Sequence, residues 1–229
     1  MVICGTAYIV YKAYTKNQVN RVKGKELETT TKLELTQVIK KYGGSAYTNI
    51  YIPLYGGNST EVDVAYIVKN CVFLIECKNY NAIVDNHNDI DSEYWVANYG
   101  RKWFKFRSPI LQSRGHVRAL KKYLINRRIL NRSDISNLNI ISLVVFSNNT
   151  KFSNTLQTST QDREYVIHQN DMCTYIQNIV ETQSLNDRTI EPKLSKVFNT
   201  LTEVNILDKI RHIVFVKKQQ IRRNLQRIR

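Results

Sequence analysis

At 229 residues, with 42 % hydrophobic and 23 % charged side chains and only three prolines, the chain can bury the core of one α/β domain with a small appendage and is poorly suited to long disordered linkers. A formal charge of +15 calls for a partner dense in negative charge, nucleic acid first and an anionic membrane second. The four cysteines form no CxxC and no Cys/His cluster, which argues against a zinc framework, fits a reducing cytosol and makes a cytoplasmic protein the expectation.

The N-terminal run MVICGTAYIVY has only about half of the ~20 apolar residues needed to span a bilayer. It also lacks the basic n-region of a secretory signal. Packing on the core is expected, with membrane contact as the lesser alternative.

Residues 24–42 place Leu27, Thr31, Leu35, Val38, Ile39 and Tyr42 on the stripe of an amphipathic helix, which Gly43-Gly44 ends. Glu26 lies in its first turn, where an acidic residue is favoured by the helix dipole alone. A strand is expected over 46–54, followed by the loop YGGNST.

The segment TEVDVAYIVKNCVFLIECKNY (60–80) predicts two strands, Val62–Val68 and Cys71–Lys78, joined by Lys69-Asn70. An Asn in a two-residue connection tolerates the positive φ of a tight hairpin. If those two residues are the whole loop, Asp63 faces Glu76, and Lys78 shares their side of the sheet. Like charges directly opposed are destabilising unless the pair shares a proton or holds a cation. Hard oxygen ligands suit Mg²⁺, with Mn²⁺ as a substitute, and a lysine beside them can orient water and offset charge on phosphorus. The plain alternative is that Lys78 only pairs with Glu61, its own opposite number. Cys71 and Cys77 fall on the other face and are expected to be buried.

Further along, two short strands around Tyr99-Gly100 are expected. The interleaved Arg101, Lys102, Trp103, Phe104, Lys105, Phe106 and Arg107 suit contact with a phosphate backbone and base stacking, or equally a charged edge strand. Ser108-Pro109 opens a helix as N-cap and first residue. It carries Gln112 and His116 on one face, ordinarily a polar surface feature, and is made basic by Arg114 and Arg118. Asn139–Ser147 reads as a central buried strand and Tyr165–His168 as a shorter one, and a helix starts at Asp171. Beyond Glu191-Pro192 two more helices follow. The last runs from Leu207 with apolar positions Ile210, Val214, Ile221, Leu225 and Ile228. Its eight cations are Lys209, Arg211, Lys217, Lys218, Arg222, Arg223, Arg227 and Arg229, with no acid after Asp208. Such a helix suits DNA, an anionic membrane or a partner groove.

GKE (24–26), STEVDVAYIV (59–68), VFLIECKNY (72–80), the surroundings of Trp95 and SPILQSRGHVRAL (108–120) together resemble the nuclease-related domain, NERD, over roughly residues 20–170. That family is related to the PD-(D/E)XK nucleases, close to the Mrr-like restriction endonucleases. The resemblance implies an α/β, restriction-endonuclease-like core with a mixed central sheet flanked by helices. It implies that Asp63 and Glu76 bind a metal with the Cys77 carbonyl as a further ligand, that Lys78 is the motif lysine, and that Glu26, Gln112 and His116 face the same site. Asn81-Ala82 stands where many relatives have a glycine, and the short apolar start replaces the full membrane helix that many carry.

The expected organisation is a short apolar segment (1–19), a nuclease-like domain (20–170) and a helical extension with a basic final helix (171–229). The expected function is Mg²⁺-dependent hydrolysis of DNA, endonucleolytic in kind. Lys102, Lys105, Arg107, Arg114, His116 and Arg118 are the candidate nucleic-acid contacts. DNA is the expected partner, with a second copy of the chain as a further candidate. The alternatives are a non-catalytic nucleic-acid-binding module of the same fold and an adaptor on a membrane surface.

Overall fold

The structure, a computed structural model, describes residues 24–160, 163–182, 190–203 and 206–226. The apolar start at 1–19, Cys4, and the final residues Arg227, Ile228 and Arg229 lie outside them.

Helix α1 (24–42) buries Leu27, Thr31, Leu35 and Val38 along one side. It stops at Gly43, whose N–H donates to the Ile39 carbonyl at 2.8 Å. The next residue must also be glycine. Gly44 has φ +89°, and a Cβ there would lie 2.2 Å from the Ile67 carbonyl oxygen.

From there the chain builds a five-stranded sheet of β1 (Ser45–Pro53), β2 (Ser59–Val68), β3 (Cys71–Lys78), β7 (Asn139–Phe146) and β9 (Glu164–His168), in that spatial order. The first three strands are antiparallel, and β7 and β9 run parallel to β3. Both faces are covered, as the near-continuous apolar runs of β2, β3 and β7 require. One face carries Ala65, Ile67, Val72 and Leu74 against α2 (Pro109–Asn126) and α5 (Glu191–Thr202). The other carries Tyr66, Val68, Phe73 and Ile75 against α1 and α4 (Gln169–Thr182). The helices that follow residue 170 therefore cover the same sheet as those that precede it.

The long connection from β3 to β7 holds three of the four strands of a second, smaller sheet, whose last strand follows β7. Its order is β6 (Trp103–Arg107), β5 (Tyr94–Asn98), β4 (Ile83–Asp85), β8 (Lys151–Phe152). Trp95, Val84 and Ile110 pack there against Val144 and Phe146 at the end of β7. Ser108 caps α2 by accepting from the Leu111 N–H at 3.3 Å. The short α3 (Arg132–Asn137) leads into β7, and α6 (Ile206–Gln226) ends the described chain. No helix among the described residues is long and apolar enough to cross a membrane.

The hairpin register is as expected from Val64↔Ile75 to Val68↔Cys71. The left-handed residue in its turn is Lys69, at φ +52°, and not Asn70. Asn70 is buried and its amide donates to the Asn137 carbonyl at 2.9 Å, which fixes it in place and leaves the strained position to its neighbour. The turn still holds because Lys69 is anchored by its own N–H, which donates to Glu191 on α5.

Candidate active site

Regular pairing breaks at Asp63. The β1–β2 ladder passes from Thr48↔Val64 to Ile50↔Val62, with Asn49 between them at φ +54°, a conformation Asn accepts more readily than most residues. Val62 and Val64, two apart, lie in different core clusters, so the strand turns over at the residue between them. With its neighbours paired and its own position irregular, Asp63 uses its side chain instead. Oδ2 accepts the Cys77 N–H at 2.8 Å, which ties the two strands together one step beyond the last regular pair.

Glu76 and Lys78 project from β3 toward α2. The Lys78 ammonium donates to Glu76 Oε1 at 2.5 Å and to Gln112 Oε1 at 3.3 Å. The second Glu76 oxygen meets His116 Nε2 at 3.2 Å, and His116 Nδ1 lies 2.9 Å from the Thr60 hydroxyl. Gln112 and His116 are thus one helical turn apart on α2, both reaching down to β2 and β3. Lys78 pairs with Glu76 and not with Glu61. Glu61 instead accepts from the Tyr51 hydroxyl at 2.9 Å and lies 3.6 Å from His212 Nε2 on α6.

The two carboxyls at this site are pushed apart. Burial and the facing Glu76 charge hold Asp63 well above its ordinary 3.8. Burial would raise Glu76 as well, but Lys78 and His116 overcome it and hold that carboxylate below its ordinary range. Lys78 is held charged: burial disfavours its ammonium, and Glu76 and Asp63 outweigh that cost. Both acids can ionise together only if more positive charge arrives. Among the described residues no group of three or more His, Cys, Asp and Glu is arranged around a metal position. The donor set is therefore a pair of carboxylates, which matches Mg²⁺, an ion that keeps waters and takes one or two carboxylates beside substrate oxygens.

The surrounding helices sort the other candidates. Glu26 lies on the exposed side of α1 with Thr30 and Leu33. Glu28, in step with Thr31 and Leu35, is the acid of that helix turned inward: burial raises its carboxyl, and Glu61 and Glu76 raise it further. Its spacing from the buried stripe was the available signal. Arg114 clamps Glu164 on β9 with two hydrogen bonds of 2.7 Å and reaches Asp91 at 2.7 Å, so it joins α2 to the sheet. Arg118, Lys102 and Lys105 are exposed.

Above this floor lies a cleft of ≈ 490 Å³, lined by Asp63, Gln112, His116 and Arg107, with His212 and Phe215 of α6 among its walls. His212 is buried, its Nδ1 within 3.1 Å of the Ser59 hydroxyl and 3.0 Å of the Ser59 carbonyl, and its ring meets Tyr51 edge-on at 5.4 Å. Hydropathy marks α6 as an amphipathic helix but carries no sign that its histidine reaches the Asp63 cleft.

An uncharacterized protein of Bacillus anthracis is 25 % identical over 203 residues, covering 88 % of this chain and 85 % of that protein. No solved structure matches the chain. The profile of the nuclease-related domain matches residues 23–147, more than half of the sequence and the part that holds Asp63, Glu76, Lys78, Gln112 and His116. The chain belongs to the nuclease-related domain family, NERD.

Proposed function

We propose that the protein is a metal-dependent nuclease that hydrolyses phosphodiester bonds in DNA. The observation that carries this reading is one constellation, whose Asp63 and Gln112 line the cleft. Asp63 is anchored on the Cys77 N–H, and Glu76 and Gln112 share the Lys78 ammonium 2.5 and 3.3 Å away. A module that only bound nucleic acid would gain nothing from two carboxylates beside a phosphate backbone.

Asp63 and Glu76 would hold Mg²⁺, or Mn²⁺ in its place, with the Cys77 carbonyl as a further donor. The ion would supply positive charge to the scissile phosphate and lower the pKa of a bound water. Asp63 would hold the ion through its carboxyl, where the added positive charge favours the ionised form. Lys78 has three N–H donors; two are directed at Glu76 and Gln112, and the third is left for the attacking water or a phosphate oxygen. Gln112 holds the ammonium in line, and His116 fixes Glu76 from the opposite side. Water oxygen bonds to phosphorus as the ester P–O bond breaks, and the departing oxygen takes up a proton. Lys78 then faces the charge that builds on the phosphoryl oxygens, where a fixed donor is worth most.

Incubation with linear, circular and single-stranded DNA, in Mg²⁺, Mn²⁺ or EDTA, tests this directly. Cutting that depends on the ion and disappears in Asp63→Ala is expected, and cutting of closed circles would establish endonucleolytic action. Binding without cutting in either metal would make the chain a non-catalytic nucleic-acid-binding module.

A further inference from the structure

The small sheet presents a feature that the hydrolytic floor does not use. On β6, Trp103, Lys105 and Arg107 alternate and so share one side of the strand. All three are exposed, Trp103 at 65 %. Trp103 is the largest side chain of the strand, and an exposed indole offers a π-face on which a base can stack. The opposite side of β6 is anchored. Phe104 stacks on Tyr99 at 5.6 Å and meets Tyr80 at 5.7 Å, and Phe106 meets Tyr80 at 4.8 Å. Tyr80 follows Lys78 by two residues and packs toward Phe146 in the core. The Trp103 face therefore sits on a rigid support, and its direction is set. Four residues of strand carry it roughly 14 Å, from Trp103 to Arg107, and Arg107 already lines the Asp63 cleft.

His212 and Phe215 of α6 stand as a wall of the same cavity. Its ≈ 490 Å³ is the size of a small-ligand pocket, room enough for an unstacked nucleotide. In a duplex the bases are paired and stacked inside, and an indole on an edge strand meets only backbone. In a single strand each base offers a free π-face, and proteins that bind such strands set aromatic side chains beside a cationic track.

We infer that the protein binds an unpaired polynucleotide strand, with a base stacked on Trp103 and the backbone led by Lys105 and Arg107 into the cleft between the carboxylate floor and α6. The inference rests on the nuclease reading for where the strand leads, while the binding itself is measurable without cleavage.

The experiment uses the full chain in EDTA with short labelled oligonucleotides, as single-stranded DNA, single-stranded RNA and duplex DNA of one sequence. Trp95 is fully buried and Trp103 exposed, so tryptophan quenching reports on Trp103. Binding of either single strand is expected to quench emission, and Trp103→Ala should abolish the quench. The same variant should weaken single-strand binding roughly 5- to 150-fold, with Trp103→Phe retaining most of the affinity and the duplex binding more weakly and indifferently to the substitution. Unchanged single-strand affinity in Trp103→Ala, or a duplex bound as tightly as the single strands, overturns the inference. A protein that cuts duplex DNA in Mg²⁺ with binding independent of Trp103 would keep the nuclease reading and remove this one. Trp103-dependent strand binding with no cutting in any metal would do the reverse.

Discussion

The floor and the wall of the cleft are built in opposite ways. The floor comes from a hairpin covered on both faces, and its functional side chains form a closed chain from Thr60 through His116, Glu76 and Lys78 to Gln112. The wall is one helix, α6, whose polar ties to the body include those from His212 to Ser59 and Glu61. It leaves Ile210, Ile213, Val214, Val216 and Ile221 exposed, Val216 where it lines the cleft. The floor lies inside the span matched by the family, and the wall lies outside it. Chemistry that needs fixed distances is thus placed where the core over-determines every rotamer. The part that shapes access to it is attached by a few contacts, where it can vary without disturbing the reaction.

The largest effects should come from breaking the floor. Asp63→Ala and Glu76→Ala should each lower cleavage by roughly 10²–10³-fold or more. The same two variants should part in stability when metal is absent. Asp63→Ala removes an acid whose charged form burial and Glu76 disfavour, at the cost of its bond to the Cys77 N–H, and should change the melting temperature little. Glu76→Ala leaves Lys78 and His116 buried beside a void and should cost about 3–5 kcal/mol. Thermal melts in EDTA measure both, and equal melting temperatures would contradict the pairing of Lys78 with Glu76.

Lys78→Met, which keeps the apolar stem, should reduce the cleavage rate by roughly 10²–10³-fold while DNA binding in Ca²⁺ stays close to wild type. Parallel loss of binding and cutting would make Lys78 an anchor for the strand.

The two acids should also leave opposite marks on stability against pH. Asp63 has a raised folded value, so the folded state keeps a proton that the unfolded chain has lost. Its contribution is full below 3.8 and fades as pH rises toward the folded value. Glu76 is depressed to about 2 from 4.5, so its contribution is present above 4.5 and is lost as pH falls toward 2. Metal-free melts should therefore weaken on both sides, Asp63→Asn should flatten the higher-pH limb alone, and added Mg²⁺ should restore stability on that limb. A limb unaltered in Asp63→Asn would assign it to other groups.

The smallest effect tests the wall. Lys217 and Lys218 are exposed on α6. If they touch phosphates, the double Gln variant should lower the slope of log K against log salt by up to about 0.7 per contact on a single strand. An unchanged slope would show that α6 shapes the cleft without gripping the backbone.

Much of this was open to reading along the chain. The largely apolar runs of β2, β3 and β7 and the Ser108-Pro109 start of α2 are local effects of burial and capping, and they predicted their elements to within three residues. The opposition of Asp63 to Glu76 was expected from turn length, but the regular ladder runs only from Val68↔Cys71 to Val64↔Ile75, and at the next step Asp63 accepts from the Cys77 N–H instead. Glu26 and Glu28 show the limit. Both stand in the first turns of α1, and one helical step of 100° decides which acid turns toward the carboxylates.

By itself the sequence determined the antiparallel hairpin, the basic surplus and the family, since each depends on neighbours close in the chain or on a pattern of residues in order. Only the tertiary structure decided that Lys78 turns to Glu76 and Gln112, that Arg114 is taken up by Glu164, and that His212 closes a cleft whose floor is laid down about 150 residues earlier. Those choices depend on which charged group lies nearest once the sheet is assembled. A Coulomb interaction depends on distance in space and not on separation along the chain.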